Sequence, residues 1–189
     1  VKTDEITDGI GRLFDYDFDG SSSFAVPTLC AADRNLYLSE DYAIGLIVGP
    51  SGSGKSSLLE EFGTEEVLEW DSEKSVASHF NNVDDAIDRL GAVGFNSVPS
   101  WMRPYHVLSN GEQFRASLAR KLKDGAVIDE FTSVVDRNVA KSCAVALRKY
   151  VDKTGLKNLT FASCHYDIIE WIQPDWVYDT VTQEVLPRG

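Results

Sequence analysis

The sequence predicts an α/β fold with a parallel-centred sheet. Short apolar runs at residues 42–48, 126–128 and Leu159–Ser163 are typical of strands that are buried on both faces. Stretches in which apolar residues recur at helical spacing separate these runs, and strands that alternate with helices form parallel sheets. Residues 67–70 are a further candidate strand.

The N-terminal part, residues 1–41, predicts a small antiparallel β layer. Aromatic residues at positions 14, 16 and 18 alternate with aspartates, which is the period of a half-buried strand. Short apolar runs at residues 24–29 and 36–38 are candidates for two more strands of this layer.

Helices are predicted between and after the buried strands. One begins near Lys55, a second follows Asn82 as its N-cap, and a third follows Ser109. A later helix ends at Pro174, and residues 177–186 predict a closing hairpin.

The bulk properties narrow the class of protein. A chain of 189 residues with 43% hydrophobic residues can form one domain with its own core. The net charge of −12 argues against a surface that is basic throughout, as a nucleic-acid-binding surface would be. Cys30, Cys143 and Cys164 form no even disulfide framework, and no apolar run is long enough for a membrane span. We therefore expect a cytoplasmic protein that meets a membrane only through another subunit.

The strongest motif is a phosphate-binding P-loop, because G-x-x-x-x-G-K-[ST] is matched completely between a predicted strand and a predicted helix. Its residues, with the serine that follows them, are Gly49, Pro50, Ser51, Gly52, Ser53, Gly54, Lys55, Ser56 and Ser57. Glycines let the backbone N–H groups face a phosphate at the helix N-terminus. Lys55 should reach the β/γ-phosphates and the Ser56 hydroxyl should bind Mg²⁺. ATP and Mg²⁺ are therefore the predicted ligands.

Two carboxylates follow the predicted strand at residues 126–128. Asp129 is the candidate metal residue, because a carboxylate at the end of a strand beside a P-loop can hold Mg²⁺. Glu130 is the candidate catalytic residue, because a second carboxylate there can orient and polarise the attacking water.

Residues 108–113, with the sequence LSNGEQ, resemble the signature segment of ABC-type ATPases, usually written L-S-G-G-Q. Asn110 departs from the commoner glycine. The same segment also predicts a capping box from Ser109 to Glu112, and both interpretations can hold because the signature is itself a helix N-terminus. The resemblance implies that Ser109, Gly111 and Glu112 bind nucleotide held by a second copy, in a head-to-tail homodimer.

Two further positions follow the family order. Residues 133–136 stand where ABC-type ATPases have their D-loop, so the resemblance implies that Asp136 acts across the dimer interface. His165 follows the strand Leu159–Ser163, where the family has a switch histidine that contacts the γ-phosphate, and Lys55 completes the implied catalytic set. The resemblance runs from residue 42 to about residue 186.

Two family features are not assigned to single residues. No glutamine stands in the place of the Q-loop, and three residues are candidates for that place: His79, Asn81 and Asn82. Phe24 is the candidate for stacking on adenine, with Tyr16 and Tyr37 as competitors.

We expect one ABC-type ATPase domain over residues 1–189, with four parts in chain order. They are the β layer 1–41, the P-loop core 42–71, a reduced helical subdomain with the signature 72–123, and a core part with the Asp-Glu pair and histidine 124–189. The short segment between Lys55 and Ser109 argues mildly against a transporter subunit. It argues strongly against the DNA-associated ATPases that insert a long coiled coil there, although Gly111 and Glu112 resemble their signature.

Residues 93–122 also resemble small ABC-type ATPases that are fused to a predicted acetyltransferase. This implies an ATPase that dimerises around Mg·ATP and hydrolyses ATP to drive a partner protein, an enzyme or a nucleic-acid process. The alternatives are a transporter subunit and a nucleotide-gated binding module with little turnover.

Overall fold

The computed structural model describes residues 41–187 of the chain. The predicted β layer at residues 1–41 lies almost wholly outside this range. The strands are β1 Ile44–Val48, β2 Val127–Ile128, β3 Leu159–Ser163, β4 Trp176–Asp179 and β5 Glu184–Pro187. The α-helices are α1 Lys55–Leu59, α2 Val83–Ala92, α3 Val98–Trp101, α4 Asn110–Lys121, α5 Arg137–Thr154 and α6 Ile168–Ile172. Two short 3₁₀ turns lie at Val76–His79 and Tyr105–Val107.

The described strands form one sheet in the order β2-β3-β1-β4-β5. The first four strands in this order run parallel to one another, and β5 pairs antiparallel with β4 as the predicted hairpin. All five residues of β1 and of β3 are buried, as their apolar runs require. The prediction of an α/β fold with a parallel-centred sheet is confirmed.

Helices cover both faces of the sheet. On one face, Leu58 and Leu59 of α1 pack with Ile47, Ala162 and Trp176. On the other face, a larger cluster joins the sheet to the longer helices α4 and α5, and its fully buried members include Leu46, Phe161, Leu118 and Leu147. Packing in this core fixes β1 and α1 relative to each other, and the P-loop connects them.

The helix boundaries follow local chemistry. The side chain of Asn82 accepts a hydrogen bond from Asp85 N at 2.9 Å and so caps α2, as predicted. Gln173 adopts the left-handed conformation at the end of α6, just before Pro174. In the part of the chain that the structure describes, no helix combines the length and the apolar character that a membrane span requires.

The prediction of a strand at residues 67–70 was wrong, because this segment has no regular secondary structure. Val67 is 92% exposed, so the apolar residues of the segment do not share one buried face. Trp70 stacks instead on Tyr105 at 4.4 Å between ring centroids, and the Arg120 guanidinium lies 4.4 Å from the Trp70 ring. Side-chain contacts with α4 and the turn before it therefore replace pairing in the sheet.

Candidate functional site

The P-loop bends tightly between β1 and α1. Gly52 and Gly54 adopt positive φ angles of 76° and 89°, which glycine adopts at little cost. Lys55 is only 8% exposed, and its Nζ donates to the Pro50 carbonyl at 2.7 Å across the loop. Ser56 and Ser57 are exposed in the first turn of α1. The loop thus holds an ammonium beside the N-terminus of a helix, the two features that anion binding requires.

Gly49, the first glycine of the loop, lies too close to a neighbouring side chain for any larger residue to fit. A Cβ on Gly49 would lie 1.8 Å from Thr180 Oγ1, which follows β4. Thr180 Oγ1 donates to Ser53 Oγ at 2.7 Å, and Thr180 N donates to Val48 O at 2.9 Å. Thr180 was not predicted from the sequence, and it holds the P-loop against the end of the neighbouring strand.

The P-loop and the carboxylate pair meet at the ends of the parallel strands. Ser56 Oγ donates to Asp129 Oδ2 at 2.6 Å, and Glu130 N donates to Asp129 Oδ1 at 2.8 Å. Glu130 is exposed and has a positive φ of 51°, which is uncommon for a residue with a side chain. The strained turn therefore separates a half-buried Asp129, bound to Ser56, from a solvent-facing Glu130.

One acidic residue of this site was missed by the sequence analysis. Glu65 accepts a hydrogen bond from Asp129 N at 3.2 Å through Oε2, and its Oε1 lies 2.8 Å from Lys121 Nζ. It lies in the irregular segment after α1, where no motif or periodic pattern marks it.

His165 follows β3, and its position is tied to the turn at Glu130. Ser163 Oγ donates to Phe131 O at 2.9 Å and accepts from His165 N at 3.1 Å. Burial and then the charge of Arg137 lower the pKa of His165 below its ordinary value, which favours the neutral ring. The residues after β1, β2 and β3 thus share one edge of the sheet, which we term the carboxyl edge.

The signature segment begins α4 with a complete capping box. Ser109 Oγ accepts from Glu112 N at 3.3 Å, and Glu112 Oε2 accepts from Ser109 N at 3.1 Å. The Ser100 hydroxyl also donates to Glu112 Oε1 at 2.9 Å. Burial opposes ionisation of Glu112, but the hydrogen bonds from Ser109 and Ser100 hold its pKa below the ordinary value. Its carboxylate is therefore turned back to the helix, while the Ser109 side chain is exposed.

The signature segment lies against the segment before α5. A Cβ on Gly111 would lie 3.2 Å from Val135 Cγ1. Asp136 caps α5, because its Oδ1 accepts from Asn138 N at 2.9 Å and from Val139 N at 3.0 Å. Ser109, Gly111 and Asp136 therefore belong to two neighbouring helix starts. Within residues 41–187, no hydrogen bond links Ser109, Gly111 or Asp136 to the P-loop.

Comparison with solved structures identifies the fold. The dimeric bacterial ABC transporter cassette MJ0796 is similar with a TM-score of 0.54 and 14% identity, over 72% of this chain and 80% of that chain. A post-hydrolysis state of MJ0796 bound to ADP and Pi gives a TM-score of 0.55 at 14% identity, with the same coverage of both chains. CbiO1 from Clostridium perfringens, part of the ABC transporter complex cbiONQ, gives 0.54 at 18% identity over 77% and 76%.

The chain has the fold of an ABC-type ATPase domain. At these identities the likeness shows the fold alone. No known protein-family profile matches the sequence, and no curated protein matches it.

The residues that were candidates for the Q-loop of an ABC-type domain lie in one part of the structure. The ring of His79 accepts from Asp71 N at 3.0 Å, Asn81 N donates to Asp85, and Asn82 caps α2. None of these described hydrogen bonds reaches Asp129 or the P-loop. The candidates for stacking on adenine, Phe24, Tyr16 and Tyr37, lie outside the described residues.

The donor set at the carboxyl edge fits a magnesium ion that arrives with a nucleotide. Over residues 41–187, no three side chains of His, Cys, Asp or Glu cluster as a metal site of their own. Mg²⁺ in ABC-type and other P-loop domains is usually held by one or two protein oxygens together with phosphates and water. The Ser56 hydroxyl and the Asp129 carboxylate, 2.6 Å apart, supply such a pair.

Proposed function

We propose that this protein is an ABC-type ATPase that binds Mg·ATP at the P-loop and hydrolyses it in a head-to-tail homodimer. The observation that carries the proposal is the hydrogen bond from Ser56 to Asp129 at the carboxyl edge of an ABC-type fold. It joins a complete phosphate loop to the carboxylate that the chemistry requires. A hydroxyl and a carboxylate in contact next to backbone N–H donors suit a metal-bound triphosphate and few other ligands.

Each residue at the carboxyl edge has a role that follows from its position. Lys55 would neutralise charge on the β- and γ-phosphates. Ser56 and Asp129 would hold the metal, and the metal would neutralise further charge on the phosphate oxygens. Glu130 faces solvent at the strained turn and orients the attacking water. His165, whose pKa is lowered by burial and then by Arg137, would donate one ring N–H to the γ-phosphate.

The signature segment supplies the other half of a composite site. Ser109 is exposed at the N-terminus of a helix of 12 residues, and its hydroxyl can rotate to donate to a phosphate. Helix N-termini favour anions, and the inward-turned Glu112 carboxylate accepts from the N–H of Ser109. We infer that this surface binds the γ-phosphate on a second copy. Gly111 lets the segment lie against Val135, so Asp136 stands beside it at the same interface.

The processes that such an ATPase drives fall into two groups. In the leading proposal, ATP hydrolysis drives a partner protein, an enzyme or a nucleic-acid process. The second candidate is a transporter subunit, which is favoured by the solved neighbours described as ABC transporter cassettes. Co-purification with a membrane protein would support the second candidate, and turnover stimulated by DNA would support a nucleic-acid process. A nucleotide-gated module with little turnover is the alternative in which Glu130 performs no hydrolysis.

The test is the Glu130→Gln variant, which keeps the shape of the side chain but removes the water-activating charge. It should bind ATP, hydrolyse it at least about 100-fold more slowly than the wild type, and accumulate a dimer in ATP. Light scattering with and without ATP measures the dimer, and single-turnover hydrolysis measures the rate. Glu170→Gln, an exposed glutamate on α6, is the matched control and should behave as the wild type.

Lys55→Ala tests the binding step on its own. It should abolish tight ATP binding, because it removes the only ammonium that this loop holds next to its own backbone. Lys74→Ala, which removes a lysine paired with Asp71 at 3.8 Å, is the control. A Glu130→Gln protein that stays monomeric in ATP would contradict the composite site. Unaltered affinity in Lys55→Ala would contradict the proposed phosphate site.

A further inference from the structure

Glu65 joins the carboxyl edge to the end of the signature helix. One carboxylate oxygen accepts from Asp129 N at 3.2 Å, and the other lies 2.8 Å from Lys121 Nζ in the last turn of α4. Asp129 in turn accepts from the Ser56 hydroxyl at 2.6 Å. A continuous set of contacts therefore runs from the P-loop, through Asp129 and Glu65, to α4.

The Glu65–Lys121 ion pair is less exposed to solvent than the Glu66–Lys123 ion pair. The side chains of Glu65 and Lys121 are 32% and 18% exposed, whereas those of Glu66 and Lys123 are 41% and 62% exposed. Solvent and salt screen the first pair less. Glu66 has the same charge and a lysine partner at 2.7 Å, but none of its described hydrogen bonds reaches Asp129. The two adjacent glutamates thus differ in the one contact that matters for the site.

The helix α4 is a rigid element that connects the signature segment to Lys121. It runs from Asn110 to Lys121, or about 18 Å at the usual rise per residue. Its last turn is held to the irregular segment 65–70 by a second contact, since Arg120 Nη1 donates to Glu69 O at 2.8 Å. A shift of the exposed signature segment would therefore be carried by the whole helix to Glu65.

We propose that Glu65 is a positioning residue that holds Asp129 in its metal-binding orientation and couples that orientation to the signature helix. The inference rests on the proposed function and deepens it. Glu65 acts through Asp129 and does not touch the nucleotide. Its hydrogen bond fixes the backbone N–H of Asp129, so the Asp129 carboxylate is presented to Ser56 without reorganisation when the metal arrives.

The experiment measures how Mg²⁺ affects ATP binding, with a fluorescent ATP analogue, in wild type and variants. Glu65→Ala should raise the Mg²⁺ concentration for half-maximal binding by about tenfold, since loss of a residue that orients a metal ligand typically costs 10–100-fold. Binding of the analogue in excess EDTA should be unchanged. Glu65→Gln, which keeps an oxygen acceptor for Asp129 N, should return the requirement to within about threefold of the wild type.

Glu66→Ala is the matched control, because it removes the adjacent charge and a lysine pair but no contact to Asp129. Thermal unfolding without ligand shows which variants fold. If Glu65→Ala does not fold, Glu65→Met takes its place, because it removes both acceptor oxygens and keeps the side-chain volume. The magnesium requirement of Glu65→Met should rise as expected for Glu65→Ala.

The outcomes separate the two proposals. A wild-type protein that binds no ATP analogue would overturn the proposed function. A wild type that binds with Mg²⁺, together with a Glu65→Ala protein whose magnesium requirement equals that of Glu66→Ala, would overturn only the role of Glu65. A Glu65→Gln protein that stays as impaired as Glu65→Ala would also overturn it, because charge and not the hydrogen bond to Asp129 would then explain the effect.

Discussion

Replacing Ser109 with aspartate separates the two roles of this side chain, as a helix cap and as a donor to phosphate. Aspartate is as good an N-cap as serine, so Ser109→Asp should keep the hydrogen bond that Glu112 N now donates at 3.3 Å. Ser109→Ala, in contrast, should lose about 1 kcal/mol of unfolding free energy. That loss lowers the Tm of a domain of this size by about 2–4 °C.

The added carboxylate lies near Glu112 Oε2, which accepts from Ser109 N at 3.1 Å, so thermal unfolding without nucleotide measures the cost of that repulsion apart from any effect of a phosphate. Two unit charges about 4 Å apart repel by about 1–4 kcal/mol at effective dielectric constants between those of water and a protein surface. Such a repulsion weakens association by about fivefold to about a thousandfold. We therefore expect Ser109→Asp to fold and to require at least about fivefold more ATP for dimer formation.

The assay combines thermal unfolding without nucleotide with light scattering over a range of ATP concentrations, in the Glu130→Gln background that slows hydrolysis. Ser75→Asp is the matched control, because Ser75 also accepts a cap hydrogen bond at 3.3 Å, from Ser78 N at the turn Val76–His79. Normal dimer formation by Ser109→Asp at wild-type ATP concentrations would refute the placement of a phosphate at the signature segment.

Two further predictions follow from the packing and charges of the site. Gly49→Ala places a Cβ 1.8 Å from Thr180 Oγ1 and should lower the free energy of unfolding by about 1–3 kcal/mol, measured by thermal unfolding. Gly91→Ala, within α2, is the control and should not destabilise, because a Cβ there meets no atom within 4 Å beyond its chain neighbours and its own helix backbone. Equal Tm values for the two variants would contradict the packing argument. Arg137→Gln should raise the pKa of His165, measured by NMR titration of the ring, because burial and then the Arg137 charge lower it; an unchanged pKa would contradict this cause. Since the folded-state pKa of His165 is lowered, its contribution to stability is present above pH 6.5 and lost as the pH falls through the folded-state pKa, and Arg137→Gln should lessen that loss.

The parts of the fold that were predicted correctly are those with local causes. β1 is an apolar run and β3 is mostly apolar, and every residue in them is buried. The caps at Asn82 and Ser109 were also predicted, because capping depends on residues that are three positions apart.

The parts that were wrong or missed depend on distant contacts. The segment 67–70 has the composition of a short strand, yet Trp70 packs on Tyr105 and Arg120 rather than pairing in the sheet. Period and composition contain no information on which surface an aromatic ring will cover. The contact of Glu65 with Lys121 spans 56 positions and has no local pattern. A contiguous motif can name the P-loop, but not the side chains that hold it in place.

The geometry suggests why the signature segment and the metal-binding carboxylate respond together. At its start, α4 lies against the segment before α5 through Gly111 and Val135. At its end, Lys121 pairs with Glu65, which holds the backbone of Asp129. Gly111 contacts residues 129–136, the segment that follows β2, directly, and Lys121 reaches the same segment through Glu65. Because a helix moves as a rigid element, a displacement of either end of α4 is transmitted to this one segment. If ATP binding shifts the signature segment in the proposed dimer, the orientation of Asp129 should therefore change as well.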